Sequence, residues 1–164
     1  MPRRALSLAL LALAVTAVFF PRVAGAQTAP AAEAGFAELI ARERTSAGLA
    51  SYSRALDLAE VARAHAERMA TEGRLYHNPN LREQVQNWDV VGENVGKGDT
   101  VEDIHQAFMQ SDTHRREILS TRLTEVGVGV VQRNGLIWVS QVFRRPAAAP
   151  AAATTAPAPP ETTT

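Results

Sequence analysis

Gly127 and Gly129 alternate with Val126, Val128 and Val130, and this alternation restricts the fold more than any other feature of the chain. Residues 126–131 and 136–143 are rich in β-branched and aromatic residues, the signature of strands. They are joined through Gln132-Arg133-Asn134-Gly135, and Asn-Gly is the favoured type I′ hairpin turn. Side chains alternate across a strand, so the two glycines leave one face of the first strand bare. A bare face is expected where another backbone or a helix packs very close. The hairpin therefore has to be one layer of a fold that supplies a second.

The residues before it supply helices. Phe36, Leu39 and Ile40 fall on one face of a helix beginning at Ala34, and Gly48 followed by Leu49 predicts its stop. Ser53 is positioned to cap a longer helix that runs to Glu72 and ends at Gly73. Its apolar line of Leu58, Val61, Ala62, His65 and Met69 makes His65 a core histidine with a satisfied ring nitrogen. Val90–Val95 reads as a short strand, Gly96-Lys97-Gly98 as a turn, and Thr100 with Asp103 as a capping pair for a helix with Val101, Ile104 and Phe108 inward. His105 falls one position off that stripe, which predicts a half-exposed structural role. Asp112 is placed to cap a short helix through Leu119, with His114 and Ile118 one turn apart. Helices early and in the middle with a late hairpin predict an α+β fold, helices packed on a small antiparallel sheet.

The ends read differently. A basic start at Arg3-Arg4, an apolar run from Ala5 to Phe20 and the Ala24-Gly25-Ala26 site predict a signal peptide over 1–26 and a secreted, extracellular protein. No second apolar run follows, so no membrane span is expected after cleavage. Residues 27–33 read as a linker, 34–145 as one domain and 146–164, almost all Ala, Pro and Thr, as a disordered tail. Lys+Arg and Asp+Glu both number 17, which leaves no net field to gather nucleic acid. With no cysteine, packing and hydrogen bonds alone must hold the fold.

Three local oddities mark a candidate site. His77 lies in the turn Tyr76-His77-Asn78-Pro79, just past a helix stop. Glu93 sits between Val91 and Val95 on one strand face, where a carboxylate requires a partner. His114 lies in the first turn of its helix, whose positive end disfavours imidazolium and keeps the ring neutral.

The order of these pieces is His77-Asn78-Pro79, Gly92-Glu93-Asn94-Val95, Thr113-His114-Arg115-Arg116-Glu117-Ile118-Leu119, Glu125-Val126-Gly127-Val128-Gly129 and Ile137-Trp138-Val139-Ser140-Gln141-Val142-Phe143. It resembles the CAP superfamily of cysteine-rich secretory, antigen 5 and pathogenesis-related proteins, in its bacterial SCP-like branch. The resemblance implies an α-β-α sandwich with a central cavity. It implies that His77 and His114 are the two cavity histidines and Glu93 one of two cavity acids. The second acid would fall near Ser111 and is absent, which leaves Glu125 as the candidate substitute. His77, Glu93 and His114 would then form a metal set for zinc or another divalent cation with an open fourth position, although no short motif such as H-E-x-x-H supports it.

Three functions follow from these features. The first is a non-enzymatic secreted protein whose cavity holds a divalent ion or a small apolar ligand. The second is a module that engages a cell-surface or cell-wall component and keeps only a vestigial cavity. The third is a hydrolase using zinc-bound water or Ser111 activated by His114, against which stands the lack of a Gly-x-Ser-x-Gly elbow. Secreted material should begin at Gln27, and N-terminal sequencing that returned Met1 would overturn the signal-peptide reading.

Overall fold

The computed structural model describes residues 28–148. The signal peptide expected over 1–26 and nearly all of the Ala/Pro/Thr tail lie outside them. In chain order the elements are α1 (Ala29–Ser46), β1 (Ser53–Arg54), α2 (Leu56–Glu72), α3 (Leu81–Gln84), β2 (Trp88–Gly98), α4 (Val101–Gln110), α5 (Asp112–Ile118), β3 (Glu125–Arg133) and β4 (Leu136–Pro146). Four strands form one sheet in the order β1-β3-β4-β2. The pairings of β4 with β3 and with β2 are antiparallel, while β1 joins β3 in parallel.

The expected bare face of β3 is where α2 lies. A Cβ at Gly127 would collide with the backbone of Leu58 and Ala59, and one at Gly129 with the backbone of Ala62 and Arg63. On the opposite face, Val126, Val128 and Val130 join Ile137, Val139 and Phe143 in a core closed by Phe36 and Ile40 of α1, Ile104 and Phe108 of α4, and Ile118 of α5. The sheet is thus the middle layer of an α-β-α sandwich, with α2 and the short α3 on one side and α1, α4 and α5 on the other. Asn134 and Gly135 both take positive φ, 53° and 76°, as a type I′ turn demands.

Helix ends follow the expected chemistry at the C-terminal side. Gly48 (φ 71°) and Gly73 (φ 65°) are left-handed, and the N–H groups of Leu49 and Arg74 donate back to Arg44 O and Met69 O. At the N-terminal side Thr100 caps α4 as expected, accepting from Asp103 N–H at 3.0 Å, but the other expectations need correction. Helix α1 starts at Ala29, inside the stretch read as a linker, because Pro30 fits the first helical turn and Ala32 is already in the core. Ser53 does not cap α2. Its N–H donates to Thr124 O and Ala55 N–H to Val126 O, so the segment is β1, and α2 begins at Leu56 without a side-chain cap. Asp112 is the first residue of α5 rather than its cap, and its carboxylate takes a hydrogen bond from Arg115.

Two further corrections concern the middle. Gly96-Lys97-Gly98 is no turn but the end of β2, an 11-residue strand. Gly96 lets the strand lie directly under Phe108 and Ile104, and Gly98 under Ile104. His105 is buried rather than half-exposed, with its Nε2 3.7 Å from Glu43 of α1, and burial holds its pKa below the ordinary range. At the other end, β4 runs to Pro146 and Ala147 N–H donates to Asn87 O, two residues beyond the expected boundary at 145.

Replacing Gly129 with alanine should cost about 3 kcal/mol or more, because the added methyl meets helix backbone that no rotamer change relieves. The same change at Gly35, in helical conformation within α1 and with only Val101 nearby, should stabilise by about 0.5–1 kcal/mol. Urea denaturation of the two variants tests the pair, and a Gly129→Ala protein as stable as the parent would refute the close-approach argument.

Candidate functional site

Strand β2 is hydrogen-bonded on one side only, to β4, and the site is built at its other, outer edge. Val91, Glu93 and Val95 share one face, as the sequence predicted, and because Val91 packs with Leu58 of α2 and Val95 with Met69, that face points to α2. Gly92, Asn94 and Gly96 face α4 and α5. Glu117 of α5 lies against Gly92, and the Asn94 side chain donates to His114 O.

Glu93 is buried, its side chain 3% exposed, and its partners are identifiable one by one. Ser140 Oγ–H donates to Oε1 at 2.9 Å, from the position on β4 diagonal to Glu93. Asn78 N–H donates to Oε2 at 2.8 Å, and His77 Nδ1 lies 3.1 Å from the same oxygen. A buried carboxylate with three donors meets the requirement inferred from its place on an apolar face. The donors arise because α2 stops at Gly73, after which the chain turns back over the edge of β2.

That return is itself held. His65, fully buried in α2, pairs Nε2 with Tyr76 O at 2.7 Å and packs edge-on against the Tyr76 ring, with Arg68 near its Nδ1. It is a core histidine with satisfied nitrogens, as expected, and it fixes the residue before His77. Asn78 Oδ1 accepts from Asn80 N–H, and its Nδ2 donates to Gln84 in α3.

The pKa values of the two candidate histidines are shifted in opposite directions. The hydrogen bond and charge of Glu93 raise the His77 pKa above its ordinary value near 6.5, against partial burial. Burial lowers that of His114, and the charge on nearby His77 lowers it further. His114 packs on Phe108 with ring centroids 5.0 Å apart, and neither of its ring nitrogens has a hydrogen-bond partner among the described residues. The His77 side chain is 62% exposed, and with Nδ1 committed to Glu93 its Nε2 is the nitrogen left for a ligand.

Two other expected site residues are elsewhere. Glu125 accepts from Arg144 at 2.6 Å, and Arg144 also bonds Asp57 of α2 and Gln86 O. This buried arginine ties β3, β4 and the start of α2 together, which commits Glu125 to the scaffold. Ser111 joins α4 to α5, and its hydroxyl makes no bond to His114 among the described residues.

As a set of direct ligands, His77, Glu93 and His114 do not fit a metal ion. No group of three or more His, Asp or Glu among the described residues is gathered for one. Glu93 already accepts three hydrogen bonds and stands behind His77. That is the place of a carboxylate that orients a ligating imidazole rather than one that ligates.

Sequence reasoning did not single out Ser140, Asn78 N–H or Asn94. Ser140 carried one signal, a small polar residue on a strand position flanked on its own face by Trp138 and Val142. Only the register, which opposes Val95 to Ser140 and Glu93 to Val142, shows which acid it serves.

A recess of about 710 Å³ lies apart from these three side chains, between α5 and the loop before β3, and includes Val90, Arg116, Glu117 and Leu123. Among the described residues no helix is long and apolar enough to cross a membrane.

A stretch of 55 residues is 42% identical to the uncharacterized protein YkwD of Bacillus subtilis, covering 33% of this chain and 21% of that one. An extracellular protein containing an SCP domain from Bacillus anthracis matches with a TM-score of 0.65 at 22% identity, over 73% of this chain and 42% of that chain. An outer surface protein from Borrelia burgdorferi matches with a TM-score of 0.65 at 15% identity, over 70% of this chain and 92% of that chain. This chain therefore spans less than half of both Bacillus proteins, and at such identities the structural likeness concerns the fold alone. The family model for CAP, the cysteine-rich secretory protein family, matches residues 37–143, more than half of the chain and the interval that holds α2, most of the sheet, His77 and His114, and the chain belongs to that family.

Proposed function

We propose that this protein is an extracellular, non-enzymatic binding module that holds a small ligand or a divalent cation between His77 and His114. The observation that carries the reading is the pair of imidazoles at the outer edge of β2. His77 is oriented through Nδ1 by a buried glutamate, and His114 has no hydrogen-bond partner for its ring among the described residues. His77 is near enough for its charge to act on His114, and an ion or a polar ligand group shared by the two imidazoles is what this reading requires. The descriptions of the relatives as an extracellular and an outer surface protein support the location.

Zinc is the cation that best suits two imidazoles backed by a carboxylate. His77 Nε2 and a nitrogen of His114 would hold it, Glu93 would orient His77, and solvent or the ligand would complete the shell. When bound, the ion would supply a Lewis-acidic anchor for an oxygen or nitrogen donor. A hydrolytic reading has less support, since Ser111 and His114 are not hydrogen-bonded and Ser140 is buried and donates to Glu93.

The protonation states make the test specific. A raised His77 pKa contributes stability that is present below about 6.5 and lost as pH rises through the higher folded value. A lowered His114 pKa works the other way, its contribution present above about 6.5 and lost as pH falls through the lower folded value. By NMR titration, Glu93→Gln should lower the His77 value and His77→Ala should raise that of His114. Unmoved values would mean that the rings do not interact. Zinc at about 100 times its dissociation constant should stabilise the parent by about 2.7 kcal/mol. His77→Ala and His114→Ala should abolish the gain, Glu93→Gln should weaken affinity by about 10–100-fold, and acid should weaken it in the parent. If zinc leaves the melting temperature unchanged while the titrations behave as described, the ion is excluded and a polar ligand remains.

A further inference from the structure

Glu93 and Gly92 are neighbours on β2 but face opposite sides of the sheet, and the Gly92 side opens on different chemistry. The 710 Å³ recess there is bounded by α5 and by residues 119–123. Its apolar part is Val90, Leu119 and Leu123, and its polar part is Arg116, Glu117 and Arg122, with Ser120 and Thr121 beside them. Asp112 and Arg115, also at its margin, neutralise each other at 2.7 Å. Arg116 and Arg122 are different. Both are exposed and close enough for their charges to act on Glu117, yet neither side chain has a hydrogen-bond or ion-pair partner among the described residues.

The frame that carries them is fixed. Arg44, buried in α1 and stacked on Tyr52, donates to the carbonyls of Ile118, Ser120 and Ala50 at 2.7–2.9 Å. Tyr52 O–H donates to Glu117 O at 2.7 Å and lies 3.2 Å from Ser120 O. The final carbonyls of α5 and the loop after it are thus held from below by side chains. Glu117 in turn lies against Gly92, where any larger residue would displace its carboxylate. Burial raises its pKa, and the charges of Arg116 and Arg122 work against that rise.

From this geometry we infer a second binding site, in which Arg116 and Arg122 take the anionic head of a small organic phosphate or carboxylate whose apolar body lies on Val90, Leu119 and Leu123. Guanidinium groups without a partner carboxylate, carried on a rigid frame around an apolar floor, are suited to such a ligand, because paired N–H donors match phosphate and carboxylate oxygens. Glu117 opposes an anion when ionised and can donate a hydrogen bond to one when protonated. It therefore sets the affinity without supplying it. This site stands independently of the paired histidines.

The test is calorimetric titration of the intact protein with phenyl phosphate, inorganic phosphate and phenol. Phenyl phosphate should bind saturably and more tightly than inorganic phosphate, and phenol not at all. Arg116→Ala and Arg122→Ala, both at exposed positions, should each weaken it by about tenfold with the melting temperature unchanged. Glu117→Gln should tighten it, a change that a merely structural Glu117 would not produce. His77→Ala, which removes a histidine on the other side of β2, should leave it intact. Absence of saturable binding, equal affinity for inorganic phosphate, insensitivity to the arginine variants or weakening by Glu117→Gln would each overturn the inference. Loss of phenyl phosphate binding in His77→Ala would do the same by moving the ligand to the histidine site.

Discussion

The contact on which the other parts depend is backbone against backbone, α2 on the glycine face of β3. Because Gly127 and Gly129 carry no side chain, the helix can lie closer to the sheet than any layer of interdigitated side chains would permit. The small buried residues Ala62 and Ala66 on α2 fit the same close approach. It brings Arg63 to Glu33, whose carboxylate also accepts Val130 N–H on the side of β3 that two-residue β1 leaves uncovered. It also sets where α2 ends. The left-handed Gly73 then turns the chain back over β2, and His77 and Asn78 arrive at Glu93 from a direction fixed by the helix.

Edge strands invite pairing with other chains, and the long β2 would be exposed to it along one side. Here α4 and α5 cover one face, α2 the other, and the return from α2 reaches Glu93 near the strand's middle. The histidine pair belongs to that arrangement. Glu93 lies on the α2 face and Asn94 on the α5 face, so consecutive side chains anchor one histidine from the loop and the backbone of the other from the helix. Two groups on different elements are joined through one strand, which makes their spacing a property of the sheet rather than of a mobile loop.

Much of this was legible because periodicity and special backbone positions report directly on layers. The alternation at Gly127 and Gly129, the Asn134-Gly135 turn, the Gly48 and Gly73 stops and the inward row containing His65 each correspond to a single local cause. The elements misread are those where tertiary context overrode local preference. Ser53 is a good helix cap by type, but two backbone hydrogen bonds, to Thr124 O just before β3 and to Val126 O within it, are available to its segment and make it a strand. Gly96 and Gly98 resemble turn residues, yet the sheet requires them because Ile104 and Phe108 press on those positions. His105 lies at the edge of a helical stripe, and α1 packed alongside α4 widens the buried face to include it.

The site was legible to the same degree and for the same reason. Glu93 could be marked as needing partners because a carboxylate on an apolar strand face is costly wherever it occurs. Which partners it found depended on register, and register is not a local property. Glu125 shows the limit. It begins a strand, is acidic and lies close in sequence to His114, but on β3 it pairs opposite Arg144 of β4, one strand removed from β2. Arg144 is buried and must be neutralised, and Glu125 with Asp57 does so. With that acid spent on the scaffold, Glu93 is left to serve His77 alone. One imidazole is then biased toward its charged form and the other toward neutrality, an asymmetry that a second carboxylate beside His114 would have removed.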